Sequence, residues 1–286
     1  MEYPIQTLNP DNFPPLLKEI PEPPKELFYR GNLPPPHLTL LAVVGSRKYT
    51  SYGRQVVDYL IGGFKDYPVG IVSGLALGID ALAHQAALKY GLYTLAVPGS
   101  GLGDEVLYPA SNKRLAREIL ARGGGLLSEF TETQTAATWT FPRRNRIMAG
   151  LTPATLLIEA GEKSGTLITA RLAADYNREV LVVPGSIFSD NSYGTHQFLK
   201  LGATPITSPE DILEALRIPI RSKSSSTLPA IEDGLEKAVW AALTEPRTKD
   251  EIIRETSAPA DRVAIALSSL EINGYIINTS PFYRRA

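Results

Sequence analysis

The chain has 286 residues, 29 Lys+Arg against 30 Asp+Glu, a hydrophobic fraction of 43% and no cysteine. That length allows one large domain plus a small one, and the missing thiols exclude disulfides, cysteine nucleophiles, Fe–S clusters and thiolate zinc sites. A net charge of −1 excludes a basic polyelectrolyte but leaves room for a local cationic patch.

Residues 1–37 hold ten of the 23 prolines. Proline fixes φ and removes a donor, so this segment reads as an extended lead-in packed on the next domain, with Phe28, Tyr29 and Leu33 as anchors. From 38 to 216, short apolar runs at 39–44, 69–72, 94–97, 126–127, 155–158 and 180–183 alternate with helical patterns at 52–65, 79–89, 111–121 and 166–177. Each run is apolar on both faces and followed by Gly, Ser or Pro, as in a parallel sheet covered on both sides. The expected fold is a doubly wound α/β domain. Residues 217–229, with Lys223 ahead of three serines, read as a flexible linker. Beyond it, 231–243, 249–255 and 259–273 read as helices, and 275–278 with 282–285 as a ribbon. Together they predict a winged-helix-like domain over 230–286. No apolar run reaches the roughly 18–20 residues that span a bilayer, and the start has no signal-peptide pattern, so a cytoplasmic protein without membrane insertion is expected.

Ligands of a doubly wound sheet sit at the carboxyl ends of its strands. Small residues gather at four such ends: Gly45 and Ser46, Ser73 and Gly74, Gly99-Ser100-Gly101, and Gly161 with Ser164, Gly165 and Thr166. Glycines admit close approach, and helix-start N–H groups and hydroxyls donate to anionic oxygens. The set as a whole favours a phosphate site, although any one loop could carry Gly simply because a tight turn requires it. Nucleotide fingerprints fail. Gly45-Ser46-Arg47-Lys48 is not G-x-G-x-x-G, and Gly161-Glu162-Lys163-Ser164 lacks the P-loop glycine before Lys.

Residues 38–216 carry 16 Lys+Arg and 16 Asp+Glu, so the domain is neutral, yet cations cluster at expected strand-end loops. They are Arg47-Lys48, Lys113-Arg114 and Arg143-Arg144-Asn145-Arg146, the last following Trp139-Thr140-Phe141-Pro142. Arginine forks grip phosphate and a neighbouring aromatic can stack an unpaired base. The competing reading is a solvated basic turn with Trp139 or Phe141 in the core. Catalysis finds little support among His37, His84 and His196. His84 reads as a half-buried helical histidine, and His196 lacks an evident carboxylate or serine partner. Glu129 and Glu159 end strands and serve either as bases or as acceptors for loop N–H groups.

Several motifs together resemble the DprA/Smf family of bacterial DNA-processing proteins. They include Val44-Gly45-Ser46-Arg47, Ser73-Gly74-Leu75-Ala76-Leu77-Gly78-Ile79-Asp80, Tyr108-Pro109 with Asn112, and Phe141-Pro142-Arg143-Arg144-Asn145-Arg146-Ile147. Glu159-Ala160, Ser164-Gly165-Thr166-Leu167-Ile168-Thr169-Ala170 and Pro184-Gly185-Ser186 complete the series in order. The resemblance implies an extended Rossmann-like domain that binds single-stranded DNA, forms a homodimer through that domain, and hands incoming DNA to the recombinase RecA during natural transformation. It implies no hydrolysis and no cofactor. Arg47, Lys113, Arg114, Phe141, Arg143, Arg144, Asn145 and Arg146 carry over as DNA-binding positions, which join the loop residues above. The loop 99–105 is about two residues longer than the family pattern, and Ser128-Glu129-Phe130-Thr131-Glu132 replaces its usual Ser-Glu-Pro-x-Gly. The alternative is an enzyme resembling LOG-type nucleoside-monophosphate phosphoribohydrolases, but the doubled glycine of that signature is missing and Thr169 stands where its acid is needed. Residues 230–286 hold seven Lys+Arg and nine Asp+Glu, too acidic for a duplex reader, so a regulatory or protein-contact role is expected for them.

Overall fold

The structure, a computed structural model, describes residues 3–220, 231 and 233–285. The chain divides into two compact units, Met1–Ile220 and Arg221–Ala286.

In the first unit the elements run β1 (Gln6–Leu8), α1 (Pro15–Lys18), β2 (Leu27–Gly31), β3 (Thr39–Val44), α2 (Ser51–Gly62), β4 (Val69–Ser73) and α3 (Ile79–Lys89). They continue with β5 (Thr94–Ala96), α4 (Lys113–Ala121), β6 (Gly125–Ser128), α5 (Thr140–Leu151), β7 (Ala154–Leu157) and α6 (Thr166–Asp175). The last are β8 (Glu179–Val182), α7 (Tyr193–Lys200), β9 (Thr204–Pro205) and α8 (Pro209–Ala215). The strands form one nine-stranded sheet in the order β1-β2-β6-β5-β4-β3-β7-β8-β9. Every neighbouring pair from β6 to β9 is parallel. The doubly wound α/β expectation is thus met, each expected strand lying within a residue or two of an observed one.

Alternation along each strand sends neighbouring side chains to opposite layers. Leu156 and Leu181 pack with Val57, Leu60 and Ile61 of α2 and Ala83 and Ala87 of α3, whereas Leu157 and Val182 pack with Met148 of α5 and Ala170 of α6. The chain winds from β3 outward through β4, β5 and β6, then returns to lay β7 against the other side of β3. That reversal opens a crevice at the carboxyl ends of β3 and β7.

Three expectations require correction. Residues 1–37 are more than a lead-in, because β1 pairs with β2 and β2 pairs with β6, both antiparallel, so the segment supplies one edge of the sheet. Proline density concealed them; both strands lie between the prolines, where donors remain. Phe28, Tyr29 and Leu33 do pack against the core. Residues 143–146, expected at a strand-end loop, lie in helix α5, which has Pro142 in its first turn, where a missing N–H costs nothing. Finally, residues 217–220, expected as the start of a linker over 217–229, belong to the first unit. Ile218 is buried and its N–H donates to Leu213 O, which keeps 217–220 with the first unit. Positions 221–229 lie outside the described residues.

The second unit contains α9 (Gly234–Ala242), β10 (Arg247–Thr248), α10 (Lys249–Thr256), α11 (Ala260–Ile272), β11 (Ile276–Thr279) and β12 (Phe282–Arg285). Asp233 caps α9 and a capping box of Thr248 and Glu251 starts α10. Val239, Ile252, Val263, Leu267 and Leu270 form its core. Three helices on a ribbon give the expected winged-helix architecture, with β10 as a third strand beside β12.

Candidate nucleic-acid interface

The crevice at the switch point is a cleft of about 750 Å³. One wall is the β3 loop with Gly45, Ser46, Arg47 and Lys48; the opposite wall is the β7–α6 loop with Glu162, Lys163, Ser164, Gly165 and Thr166. Phe141, Arg144 and Asn145 of α5 line the cleft as well. The walls are tied to each other. Thr166 Oγ1 donates to Gly45 O at 3.0 Å, and Ser164 Oγ donates to Thr166 Oγ1 at 2.9 Å. Gly45 packs on the start of α3, where an added Cβ would stand 2.6 Å from the Ile79 side chain. Ser46 Oγ accepts from Lys48 N at 3.1 Å, which folds the loop so that Arg47 and Lys48 are exposed.

Among the described residues, Arg47, Lys48 and Lys163 form no ion pair, and Glu162 is the one exposed carboxylate in the cleft lining. The Arg47 guanidinium carbon lies 5.4 Å from the centroid of the Phe141 ring, a cation–π contact that fixes the side chain without neutralising it. The N-terminus of α6 opens onto the same cleft, its dipole adding positive potential. Three cations without an ion pair among the described residues, hydroxyls and a helix start give this cleft donors suited to anionic oxygens.

Not every expected contact joins it. Arg144 and Arg146, expected on an open cationic rim, are buried and engaged inside the fold. Arg144 Nη1 donates to Val97 O at 3.0 Å and lies 3.8 Å from Asp80 Oδ2. Asp80 in turn accepts from Gly74 N at 3.1 Å. Burial pushes the Asp80 carboxyl up, against the opposing pull of Arg144 and of the Ala76 and Gly74 N–H groups. Arg146 is bonded to Glu129 and to Glu22 O. Arg144 therefore reaches the cleft floor as a structural cation, and Arg146 is withdrawn from the interface. Ser73 is likewise buried, its hydroxyl donating to Val43 O at 2.6 Å. Gly74 is required because a Cβ would fall 1.3 Å from Arg144 Nη1.

Lys113 and Arg114 start α4 outside the cleft lining, and Lys113 Nζ donates to Glu105 O at 3.0 Å. Arg143 is exposed beside Trp139, its guanidinium carbon 5.9 Å from the ring centroid and its Nε 3.5 Å from Glu129 Oε1. Lys48, Lys163 and Asn191 line the cleft although sequence reasoning left them out of the site. Lys48 adjoins Arg47, and Lys163 lies in the run set aside because it failed as a P-loop; the local charge of that run was the usable signal. Asn191 follows no motif, and its position depends on the fold bringing the β8–α7 loop to the β3 loop, where its Nδ2 donates to Lys48 O. In the longer 99–105 loop, Asp104 is held by Arg30 of β2 at 2.8 Å, which keeps its carboxyl below the usual range.

Two carboxylates near the cleft are occupied, whereas Glu162 is exposed in its lining. Glu159 accepts from Thr50 N and Thr50 Oγ1, and Glu129 pairs with Arg143 and Arg146. Thr169 is buried on α6. His196 Nε2 lies 3.1 Å from Gly185 O. His84 is fully buried rather than half-buried, with Nδ1 2.7 Å from Thr94 Oγ1, and burial pushes its imidazole down to about 3. Unfolding returns it to its ordinary value of 6.5, so between these values the unfolded chain binds a proton that the folded chain does not. Stability therefore falls as pH drops through that window, by up to about 1.4 kcal/mol per unit. Urea unfolding of His84→Gln beside the unaltered chain at pH 7 and 4.5 is expected to show a smaller acid loss in the variant. Equal losses would contradict the assignment.

Comparison with known proteins agrees with this architecture. Residues 5–217 match the family model described as DNA recombination-mediator protein A, and residues 223–278 match the DprA winged helix domain. The chain belongs to the DNA recombination-mediator protein A family, that of the DprA/Smf DNA-processing proteins. It is 36% identical over 272 residues to Protein Smf of Escherichia coli, covering 92% of this chain and 72% of that protein. It is 41% identical over 212 residues to DNA processing protein DprA of Streptococcus pneumoniae, covering 74% of each. The structure of S. pneumoniae DprA superposes with a TM-score of 0.69 at 38% identity, covering 77% of this chain and 76% of that one. A Helicobacter pylori DNA processing protein A, whose structure describes its single-stranded DNA binding mode, gives a TM-score of 0.66 at 28% identity over 75% of this chain and 96% of that one.

Proposed function

We propose that this protein binds single-stranded DNA without cleaving it, protects incoming strands, and delivers them to the recombinase RecA during transformation. The carrying observation is the switch-point cleft lined by Arg47, Lys48 and Lys163, which form no ion pair among the described residues. Unpaired cations in a groove neutralise phosphates and release condensed counter-ions on binding. The family description as a recombination mediator and the single-stranded DNA binding of the H. pylori relative support the same reading. Delivery to RecA, cytoplasmic location and self-association through the large unit are part of this proposal, supported by the family resemblance. Among the described residues no helix is long and apolar enough to cross a membrane.

The winged-helix unit is proposed to contact protein rather than duplex DNA. Its α11 exposes Ile265 and Ile272 seven residues apart, on one helix face, where a duplex reader needs basic side chains.

Fluorescence anisotropy of labelled oligo-dT and of duplex of equal length, across salt, tests the main reading. With three free cations neutralising three phosphates, the affinity for oligo-dT is expected to fall with a log–log slope near about −2 per bound copy. Binding that ignores salt, or equals that of duplex at every salt, would overturn it.

A further inference from the structure

The loop after β3 runs on into α2 as Arg47-Lys48-Tyr49-Thr50-Ser51-Tyr52-Gly53-Arg54, three cations and two tyrosines in eight positions. Arg47 and Lys48 belong to the cleft, whereas Arg54 is exposed outside its lining. The Arg54 guanidinium carbon stands 5.3 Å from the centroid of the Tyr49 ring, and its Nη2 donates to Tyr49 Oη at 2.6 Å. Among the described residues Arg54 forms no ion pair. The carboxylate one turn along α2, Asp58, is engaged elsewhere, since Lys89 Nζ at 2.7 Å and Tyr90 Oη at 3.0 Å both donate to it.

A guanidinium carries five N–H donors, and Tyr49 Oη takes one of them. The ring contact fixes where the fork stands without neutralising it, so the remaining donors are left for an anion. Tyr49 acts as a bridge. Its backbone follows Lys48 at the cleft, and its ring holds Arg54 at the border of a second groove, about 370 Å³ between α2 and α3, to which Gln55 and Gln85 bring amide donors. A compact anion seated against Arg47 and Lys48 stays within the cleft. A chain of phosphates longer than the cleft, running out over the start of α2, meets Arg54 next.

We propose that Arg54 forms a second phosphate subsite, outside the cleft and beside Tyr49, that takes one backbone phosphate of a strand leaving the cleft over the start of α2. This rests on the single-stranded DNA reading and adds the course the strand follows beyond the cleft. Contacts to phosphate position a strand and carry no sequence information, so the subsite responds to strand length and ignores base composition. An arginine that only braces Tyr49 at the surface gives no such length dependence.

The test is fluorescence anisotropy of labelled oligo-dT in a length series from about four to about sixteen nucleotides, across salt. The longest strands are expected to show a log–log salt slope steeper by about 0.7 than the shortest strands that bind, the increment of one more phosphate on a single strand. Arg54→Gln is expected to remove that increment and to weaken the longest strands about tenfold, while the shortest change by less than about twofold. Arg54→Lys is expected to keep the increment. If Arg54→Gln loses thermal stability, Arg54→Met, which retains an unbranched stem against Tyr49, decides. Equal weakening of short and long strands, or the full increment retained in Arg54→Gln, would overturn the subsite. Binding that falls with Arg47→Glu at every length but ignores Arg54→Gln would remove the subsite and leave the cleft reading intact. Failure of the unaltered protein to bind oligo-dT at any length would remove both.

Discussion

Replacing Arg144 by alanine is expected to destabilise the first unit by about 3–5 kcal/mol, the cost of leaving one partner of a buried ion pair uncompensated. For a unit of this size that corresponds to a fall in melting temperature on the order of 10 °C. The reason lies in the depth of the contacts. The guanidinium fills the space above Gly74, satisfies Val97 O at the end of β5, and faces Asp80 across 3.8 Å. Without it Asp80 stays buried with its backbone donors but loses its buried counter-charge, with only the more distant Arg47 opposing it. Double replacement, Asp80→Ala with Arg144→Ala, is expected to recover part of the loss, because the two residues act on one another. Thermal and urea unfolding of the three variants measure both effects. A variant that lost oligonucleotide binding at unchanged melting temperature would return Arg144 to the contact surface.

The second large effect has the opposite signature. Arg47→Glu combined with Lys163→Glu is expected to weaken binding of oligo-dT by about 100-fold or more at low salt, since each charge-assisted contact to phosphate contributes roughly 1.5–3 kcal/mol. Melting temperature is expected to stay within a degree or two, because exposed, unpaired side chains contribute little to folding. Arg47 does touch Phe141, so Arg47→Lys with Lys163→Arg serves as the charge-preserving control and is expected to keep most of the affinity. Anisotropy and thermal unfolding on the same preparations give both readouts. Retained binding in the doubly reversed variant would place the strand elsewhere on the molecule.

The contrast between these two outcomes shows where sequence reading succeeds and where it stops. The apolar runs of β3, β4, β7 and β8 declare a parallel sheet on their own, because strands buried on both faces have no polar alternation to offer. That the loops after β3 and β7 share a cleft was legible too, since that fold opens its crevice at those strand ends. Residues 143–146 were not. Three arginines in four positions look like one cationic surface, but a helix turns successive side chains by about 100° and α5 is covered on more than one side, so Arg144 is buried against Asp80 and Arg146 against Glu129 while Arg143 is exposed. Their counter-charges, Asp80 and Glu129, lie 64 and 17 positions earlier, and no local pattern announces those pairings. Lys163 was missed for a related cause. A rejected motif drew attention away from a cation that needs no motif to face Arg47.

The antiparallel edge formed by β2 has a bearing on how the molecule comes into being. Its partner β6 is translated almost a hundred residues later, so the inner edge of β2 waits for its neighbour while the centre of the sheet assembles. Trimming the protein to begin near residue 38 would leave one edge of β6 without a neighbour, and an open strand margin is a template for sticking to other chains. Shortened versions made to isolate the large unit should keep everything from β1 onward, or they are expected to clump.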